Sequence, residues 1–103
     1  MRACAPLMRD SGGGSIINID SLAGVMGHPV AAYTASKWAL RGVSKTAAME
    51  FVDWGVRVNT LHPGLVATPL IAGSPSYEAM EDMTPMGRRR PGGIRQSRPV
   101  PRQ

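Results

Sequence analysis

Two short β-branched runs on either side of one long helical stretch are the feature that most restricts the fold. Residues 15–19 read SIINI and Val56–Leu61 reads VRVNTL, and such runs are typical of buried strands. Apolar residues at helical spacing fill residues 31–53, and Gly55 follows as a terminator. Strand, helix and strand at this spacing predict a βαβ unit with parallel strands and a right-handed crossover. The predicted fold class is therefore α/β.

The helical stretch carries two apolar faces. One face has helical spacing and is predicted to pack on the sheet: Leu40, Val43, Ala47 and Phe51. The other face is made of small residues: Ala35, Ala39 and Gly42. A helix that is apolar on two sides is buried on two sides, so the second face is predicted to meet a partner.

The residues before the first strand are predicted to form the end of a helix, residues 1–10, followed by a turn at residues 11–14. The turn has the sequence SGGG. A nucleotide-binding glycine fingerprint follows a strand and opens a helix, whereas this run precedes a strand. It is therefore interpreted as a connection and not as a phosphate loop.

Three separate stretches of the chain are predicted to meet at one edge of the sheet. Ligands of parallel α/β sheets bind beyond the carboxyl ends of the strands. The first strand leads to Ser21 and the second leads to residues 63–68. The helix begins near the same edge with Tyr33 and Lys37. This convergence predicts a site.

Tyr33 and Lys37 are a chemically useful pair within that edge. Four residues apart on a helix, they share one face, one turn from each other. A fixed cation beside a phenol favours the phenolate, so such a tyrosine can exchange a proton with an alcohol or a carbonyl. In isolation, the pair is also compatible with a chance arrangement, and Ser21 with a turn serine.

The net charge of +5 comes from the end of the chain. Six of the twelve basic residues lie after residue 87 without an acid among them, and the rest of the chain carries a net charge of −1. The tail has no aromatic residue for base stacking, so neither part predicts nucleic-acid binding. With a single cysteine, no metal-ligand spacing, no membrane-length apolar run and no signal peptide, a cytoplasmic location is expected.

Four motifs in unbroken order carry a family resemblance: GSIINIDSLAG at residues 14–24, YTASK at 33–37, VRVN at 56–59, and HPG with a later TP at 62–69. Together they resemble the short-chain dehydrogenase/reductases. The resemblance implies part of a Rossmann-like, doubly wound parallel sheet. Trp38 and the GVSK that follows at 42–45 are most similar to the 3α/20β-hydroxysteroid dehydrogenase branch.

The resemblance implies a role for each matching residue. Tyr33 would be the catalytic acid/base, Lys37 would favour its phenolate and hold the nicotinamide ribose, and Ser21 would hold the substrate oxygen. The cofactor would be NAD or NADP, and it would be bound by Tyr33, Lys37, Pro63, Gly64, Val66 and Thr68. The substrate would be a secondary alcohol or ketone, covered by the apolar segment 70–83. The full-length form would be a dimer or tetramer through the 31–53 helix.

Two local departures from the family pattern carry expectations of their own. Asp20 stands where the family usually has a small residue, often Ser. A carboxylate pointing into the site would work against Lys37, so Asp20 is expected to face away from Tyr33. The interval from Ser21 to Tyr33 is one residue shorter than the commonest family spacing, and the loop is expected to absorb this deletion.

The largest departure is that the family's glycine-rich nucleotide-binding half has no counterpart here. Residues 1–82 are interpreted as a partial domain that holds the catalytic segment, and residues 83–103 as a disordered Arg/Pro/Gly-rich tail. A truncation or frameshift would explain both ends. The alternative function is a catalytically inactive product, at most a binding or oligomerisation module, and the 103-residue chain alone is expected not to turn over substrate.

Overall fold

A computed structural model describes residues 1–71 and 73–84 of the 103. The chain divides after Pro63 into a first unit, Met1–Pro63, and a second unit that begins at Gly64. Most of the predicted tail, from residue 85 onward, lies outside the described residues.

The first unit is built on a parallel pair of strands joined by one long helix. The strands are β1 (Gly14–Ile19) and β2 (Val56–Leu61), preceded by the short helix α1 (Ala5–Asp10) and connected by α2 (Ala31–Glu50). Their register pairs the first residue of one strand with the first residue of the other, and so on to the last. The parallel pairing confirms the α/β class and the βαβ unit. It also places the residues that follow the two strands side by side.

The core of the first unit lies on one face of the sheet. Alternate residues of β2 are buried, because successive side chains of a strand point to opposite faces. Its buried residues are Ala5, Ala47, Phe51, Val56 and Val58. On the opposite face, the side chains of Ile17 and Ile19 are 62% and 59% exposed. Helix α2 therefore covers one side of the sheet within this unit.

The face of α2 that meets the sheet differs from the prediction at one position. Val43 was expected to be in the core, but its side chain is 55% exposed, while Ser44 is buried. The Ser44 hydroxyl donates to the Leu40 carbonyl at 2.7 Å and accepts from Asn18 Nδ2 at 2.8 Å. These two bonds satisfy the hydroxyl inside the interface, so a buried serine is tolerated there. Choosing core residues by hydrophobicity alone missed it.

Two glycine turns meet at the end of the sheet where the strands begin. Gly13 has a φ of 120° and Gly55 a φ of 67°, in the region that favours glycine. A Cβ atom on Gly13 would lie 2.7 Å from the carbonyl oxygen of Gly55. Helix α2 gives way to a 3₁₀ turn at Val52–Trp54, and Gly55 ends that turn. The predicted turn covers residues 11–13, because Gly14 already belongs to β1, and the predicted 31–53 helix ends earlier, at Glu50, with Gly55 closing the 3₁₀ turn that follows.

The second unit contains one described helix, α3 (Pro75–Asp82). Proline is favoured in a first helical turn, because its fixed φ suits the helix and its missing N–H would be unpaired there. At the other end, the Thr84 hydroxyl donates to the Met80 carbonyl at 2.7 Å. Among the described residues, no helix is long and apolar enough to cross a membrane.

Candidate active site

The two loops that follow the strands are joined directly by backbone hydrogen bonds. The N–H of Asp20 donates to the Leu61 carbonyl at 2.8 Å, and the N–H of Leu22 donates to the Pro63 carbonyl at 3.0 Å. These bonds continue the strand register past the end of the sheet. Ser21 is consequently fixed between two residues whose backbones are tied to the β2 side.

Lys37 links the first turns of α2 to the same edge. Its Nζ atom lies 3.4 Å from the carbonyl oxygen of Ile19 and 3.4 Å from that of Asp20. It also lies 5.7 Å from the centroid of the Tyr33 ring. The ammonium therefore sits between the end of β1 and the phenol. Its two carbonyl contacts are long, and an ammonium has three donors, so donor capacity remains for a ligand hydroxyl.

Tyr33 presents a partly open phenol at the start of α2. Its side chain is 39% exposed, and the ring of His28 stands edge-on to it with 5.2 Å between centroids. The loop that carries His28 is tied to the helix start, because the Thr34 hydroxyl donates to the His28 carbonyl at 3.3 Å. The Val30 N–H donates to His28 Nδ1 at 3.1 Å. The loop thus places the His28 ring beside the Tyr33 phenol and leaves the phenol partly exposed.

Ser21 caps a short 3₁₀ turn, Leu22–Gly24, at the end of β1. Its Oγ accepts a hydrogen bond from the N–H of Ala23 at 3.1 Å. A serine hydroxyl has one proton to donate in addition to its acceptor sites. Because the backbone N–H uses an acceptor site, the hydroxyl proton remains available for an oxygen of a bound molecule.

Sequence reasoning missed the contribution of His62, which was interpreted only as part of a strand terminator. His62 Nδ1 lies 3.0 Å from the Ser21 carbonyl and 3.4 Å from Asp20 Oδ2, and its Nε2 lies 2.8 Å from the Thr60 hydroxyl. The signal was present in the sequence. An acid follows one strand directly and a histidine follows the other, and parallel register brings these two positions together.

The Asp20 carboxylate is directed at His62 and at the 3₁₀ turn. Its side chain is fully buried, and a Cβ atom on Gly24 would lie 2.7 Å from Oδ2. Within residues 1–71 and 73–84, no ion pair joins it to Lys37, although Lys37 contacts the Asp20 backbone. The carboxylate therefore lies behind the Ser21 backbone, beside His62 and Gly24.

The predicted cofactor-loop residues fall into both units. Pro63 closes the first unit, and its carbonyl oxygen is the acceptor for Leu22 described above. Gly64, Val66 and Thr68 belong to the second unit. The structure therefore brings Ser21, Tyr33, Lys37 and Pro63 to one edge of the first unit, and the other three remain predictions.

The edge so assembled offers a phenol, an ammonium and a hydroxyl, which is a set suited to moving a proton at a substrate oxygen. The family model for short chain dehydrogenases matches residues 1–79. The chain belongs to the short-chain dehydrogenase family. This confirms the resemblance carried by the four motifs.

Individual dehydrogenases of the family are similar to this chain in sequence. Trans-4-hydroxycyclohexanecarboxylate dehydrogenase of Sinomonas cyclohexanicum is 50% identical over 74 residues, which are 71% of this chain and 28% of the relative. The 3-alpha-(or 20-beta)-hydroxysteroid dehydrogenase of Mycobacterium tuberculosis is 48% identical over 71 residues, which are 68% of this chain and 27% of the relative. The chain spans less than a third of the length of these two dehydrogenases.

A solved short-chain dehydrogenase supports the same fold. The gluconate 5-dehydrogenase from Burkholderia cenocepacia, crystallised with NADP and tartrate, is 32% identical to this chain with a TM-score of 0.77. The match covers 84% of this chain and 36% of that enzyme. The parallel βαβ unit is therefore part of a Rossmann-like fold.

Proposed function

We propose that this chain supplies the catalytic segment of an NAD(P)-dependent oxidoreductase that interconverts a secondary alcohol and a ketone. One observation carries the proposal. The Lys37 ammonium is held at the carboxyl end of β1, 5.7 Å from the Tyr33 ring centroid. Lys37 therefore lies close both to Tyr33, the proposed acid/base on α2, and to the end of β1, which Ser21 follows. Family membership supplies the reaction type, and the geometry supports the roles of the individual residues.

Tyr33 gives its phenol proton to the substrate oxygen in reduction and takes a proton from the alcohol in oxidation. We assign to Lys37 the role that the family resemblance implies, support of the Tyr33 phenolate, because its Nζ lies 5.7 Å from the centroid of the Tyr33 ring. Ser21 donates its hydroxyl proton to the same substrate oxygen and so holds that oxygen beside Tyr33. The backbone N–H of Ala23 orients the serine for this role.

The donor set fits a nicotinamide cofactor at its ribose end. Lys37 has donor capacity left after its two carbonyl contacts, and the Tyr33 phenol is partly exposed. We assign these two residues, with Pro63, Gly64, Val66 and Thr68, to cofactor binding. When bound, the cofactor supplies or accepts the hydride. The solved relative with NADP supports this choice of cofactor class, which includes NAD and NADP.

The substrate class we propose is an alcohol on a saturated ring, with a hydroxysteroid as the specific candidate. The two relatives described above are named for a hydroxycyclohexane carboxylate and for hydroxysteroids. The exposed apolar side chains of Val25, Met26 and Val30 in the loop before Tyr33 suit such a ring. The apolar segment 70–83 is the further candidate for covering it. A cytoplasmic location accompanies this proposal.

The full-length enzyme is proposed to be a dimer or tetramer through α2. A groove of about 1010 Å³ runs beside this helix and is lined by its small residues Ala39 and Gly42, together with Val43. A Cβ atom on Gly42 would meet no atom within 4 Å outside the helix's own backbone, so the face is open at this position. Gly42→Trp is expected to leave the protomer folded and to dissociate the oligomer, as measured by light scattering. An unchanged oligomer would contradict the assignment.

The test of the proposed function uses a complete enzyme. Residues 1–79, the range matched by the family model, replace the matching segment of the M. tuberculosis hydroxysteroid dehydrogenase, and the product is called the chimera below. Tyr33→Phe is expected to lower kcat by ~10²- to 10⁴-fold, because the phenol proton is lost. The cofactor dissociation constant, measured by NADH or NADPH fluorescence, should rise far less than kcat falls, because Lys37 and the loop residues assigned to cofactor binding remain. Substantial alcohol oxidation by Tyr33→Phe would refute the role of Tyr33.

A further inference from the structure

A buried carboxylate lies directly behind the proposed catalytic serine. The Asp20 side chain has no solvent exposure, and within residues 1–71 and 73–84 neither of its oxygens has a hydrogen-bond partner of good geometry. Burial of a polar group without a hydrogen bond is costly, so the carboxylate needs a compensating partner. The only described cation-forming side chain in ion-pair range is His62, whose Nδ1 is 3.4 Å from Asp20 Oδ2.

The neighbours of His62 decide which ring nitrogen carries a proton. Nδ1 lies 3.0 Å from the Ser21 carbonyl, which can only accept a hydrogen bond, and 3.4 Å from Asp20 Oδ2. Nδ1 must therefore be protonated. Nε2 lies 2.8 Å from the Thr60 hydroxyl, which can either donate or accept. Thr60 thus orients the ring, and the Nδ1 proton points at the Ser21 carbonyl and the carboxylate.

The backbone around the pair is arranged to hold this contact. Asp20 and His62 directly follow Ile19 and Leu61, which are partners in the parallel register. The carboxylate also fills the space beside Gly24, where a Cβ atom would lie within 2.8 Å of both oxygens. The position of the Asp20 carboxylate is therefore set by the register of the two strands and by the close packing against Gly24 in the 3₁₀ turn.

We propose that Asp20 and His62 are a positioning pair for Ser21. His62 fixes the Ser21 peptide through its carbonyl, and Asp20 keeps the ring protonated at Nδ1 and turned toward that peptide. Neither side chain touches the substrate. The inference rests on the proposed role of Ser21 at the substrate oxygen, because a misplaced serine peptide carries its hydroxyl away from that oxygen.

The kinetic test uses the chimera with His62→Ala and His62→Asn. His62→Ala should lower kcat by ~10- to 100-fold through misplacement of Ser21, with the cofactor dissociation constant unchanged. The amide nitrogen of asparagine is as many bonds from Cα as Nδ1 is, so His62→Asn should recover most of the loss. If His62→Ala lowers only the melting temperature and leaves kcat per bound cofactor unchanged, the pair is merely structural and the proposal is overturned.

A stability cycle tests the pair without any turnover. In the parent chimera, Asp20→Asn should lower the melting temperature, because it removes a paired charge. In the His62→Ala background, the same substitution should raise the melting temperature, because it removes a buried charge that has lost its partner. The same sign in both backgrounds would overturn the pairing.

Measuring which nitrogen of the His62 ring carries the proton distinguishes an error in the proposed Asp20–His62 pair from an error in the proposed function. Nitrogen NMR of ¹⁵N-histidine-labelled chimera should show the His62 proton on Nδ1, with a shift on Asp20→Asn. A proton on Nε2 alone would refute the pair even in an active enzyme. A parent chimera that binds cofactor but does not turn over, or an active Tyr33→Phe variant, would refute the proposed function whatever the state of His62.

Discussion

Two polar residues two positions apart, Asn18 in β1 and Asp20 directly after it, have different environments. The Asn18 amide donates to Ser44 Oγ at 2.8 Å, and the Ser44 hydroxyl donates onward to Leu40 at 2.7 Å. Asn18 Nδ2 also lies 3.2 Å from the sulfur of Met1. The Asp20 carboxylate is more deeply buried, and its one polar contact within ion-pair range among the described residues is His62 at 3.4 Å.

The difference separates a polar contact that holds the fold from one that belongs to a site. A satisfied buried network costs little and specifies how two elements pack. A buried carboxylate with one long contact costs more, which agrees with the positioning role proposed above for Asp20 and His62. The first pair therefore fixes α2 on the sheet, and the second lies at the edge where Lys37 and Tyr33 also converge.

The largest expected effect comes from removing the positive charge of Lys37 at that edge. In the chimera, Lys37→Met keeps most of the side-chain length and removes the charge. It should lower kcat by ~10²- to 10⁴-fold, because the phenolate loses its electrostatic support. It should also weaken cofactor binding, because the same ammonium is assigned to the ribose. Steady-state kinetics and a cofactor titration give the two effects separately.

Lys45 provides the matched control for this experiment, since it is exposed and lies two turns further along α2. Lys45→Met should leave both quantities within about twofold, as is usual for surface substitutions. Equal losses of kcat and of cofactor affinity in the two variants would contradict the prediction. They would show that any lysine charge on α2 matters, and not the position of Lys37 at the end of β1.

A smaller effect is expected where the carboxylate contacts the 3₁₀ turn. A methyl group on Gly24 would lie 2.7 Å from Asp20 Oδ2, so Gly24→Ala should destabilise the chimera by about 1–3 kcal/mol through overpacking. It should also lower kcat, because the displaced carboxylate disturbs His62. Urea unfolding and steady-state kinetics measure the two consequences.

Two further variants sharpen the Gly24 result. Asp20→Ser shortens the side chain, so the double variant with Gly24→Ala should recover most of the stability lost by Gly24→Ala alone. A Cβ atom on Gly27 would meet nothing within 4 Å, and Gly27→Ala is expected to have little effect. Additive losses in the double variant would show that Gly24 is needed for a reason other than the carboxylate.

Much of this edge could be predicted from the sequence, because periodicity and register act over short distances. The strand runs and the helix spacing located β1, α2 and β2, and parallel pairing then required their loops to meet. The four-residue interval placed Tyr33 and Lys37 on one face of the helix. The tertiary hydrogen bonds could not be derived in this way, since they depend on the depth at which α2 packs.

The errors of sequence reasoning have the same physical origin. Val43 was assigned to the core because it is apolar, yet the helix is rotated so that Ser44 faces the sheet and Val43 lines the groove. His62 does follow the end of β2 as predicted, but its contacts with Ser21 and Asp20 were not predicted. In both cases a partner distant in sequence satisfies the polar side chain, Asn18 for Ser44 and the Ser21 carbonyl for His62, and local periodicity does not reveal such a partner.

The smallest expected effect comes from the hydrogen-bonded pair Asn18 and Ser44. Ser44→Ala removes one acceptor of the Asn18 amide, while the Met1 sulfur remains beside it. Loss of about 1 kcal/mol in the free energy of unfolding is expected, with kcat unchanged, because the substitution lies within the helix–sheet interface and not at its edge. Thr46→Ala is the matched control, since the Thr46 hydroxyl makes the same kind of helix-backbone bond, 3.3 Å to Gly42, on the exposed side. It should cost less than Ser44→Ala. A clear fall in kcat for Ser44→Ala at full cofactor occupancy would contradict the separation, because it would mean that the contact holding α2 on the sheet also sets the position of Tyr33 and Lys37.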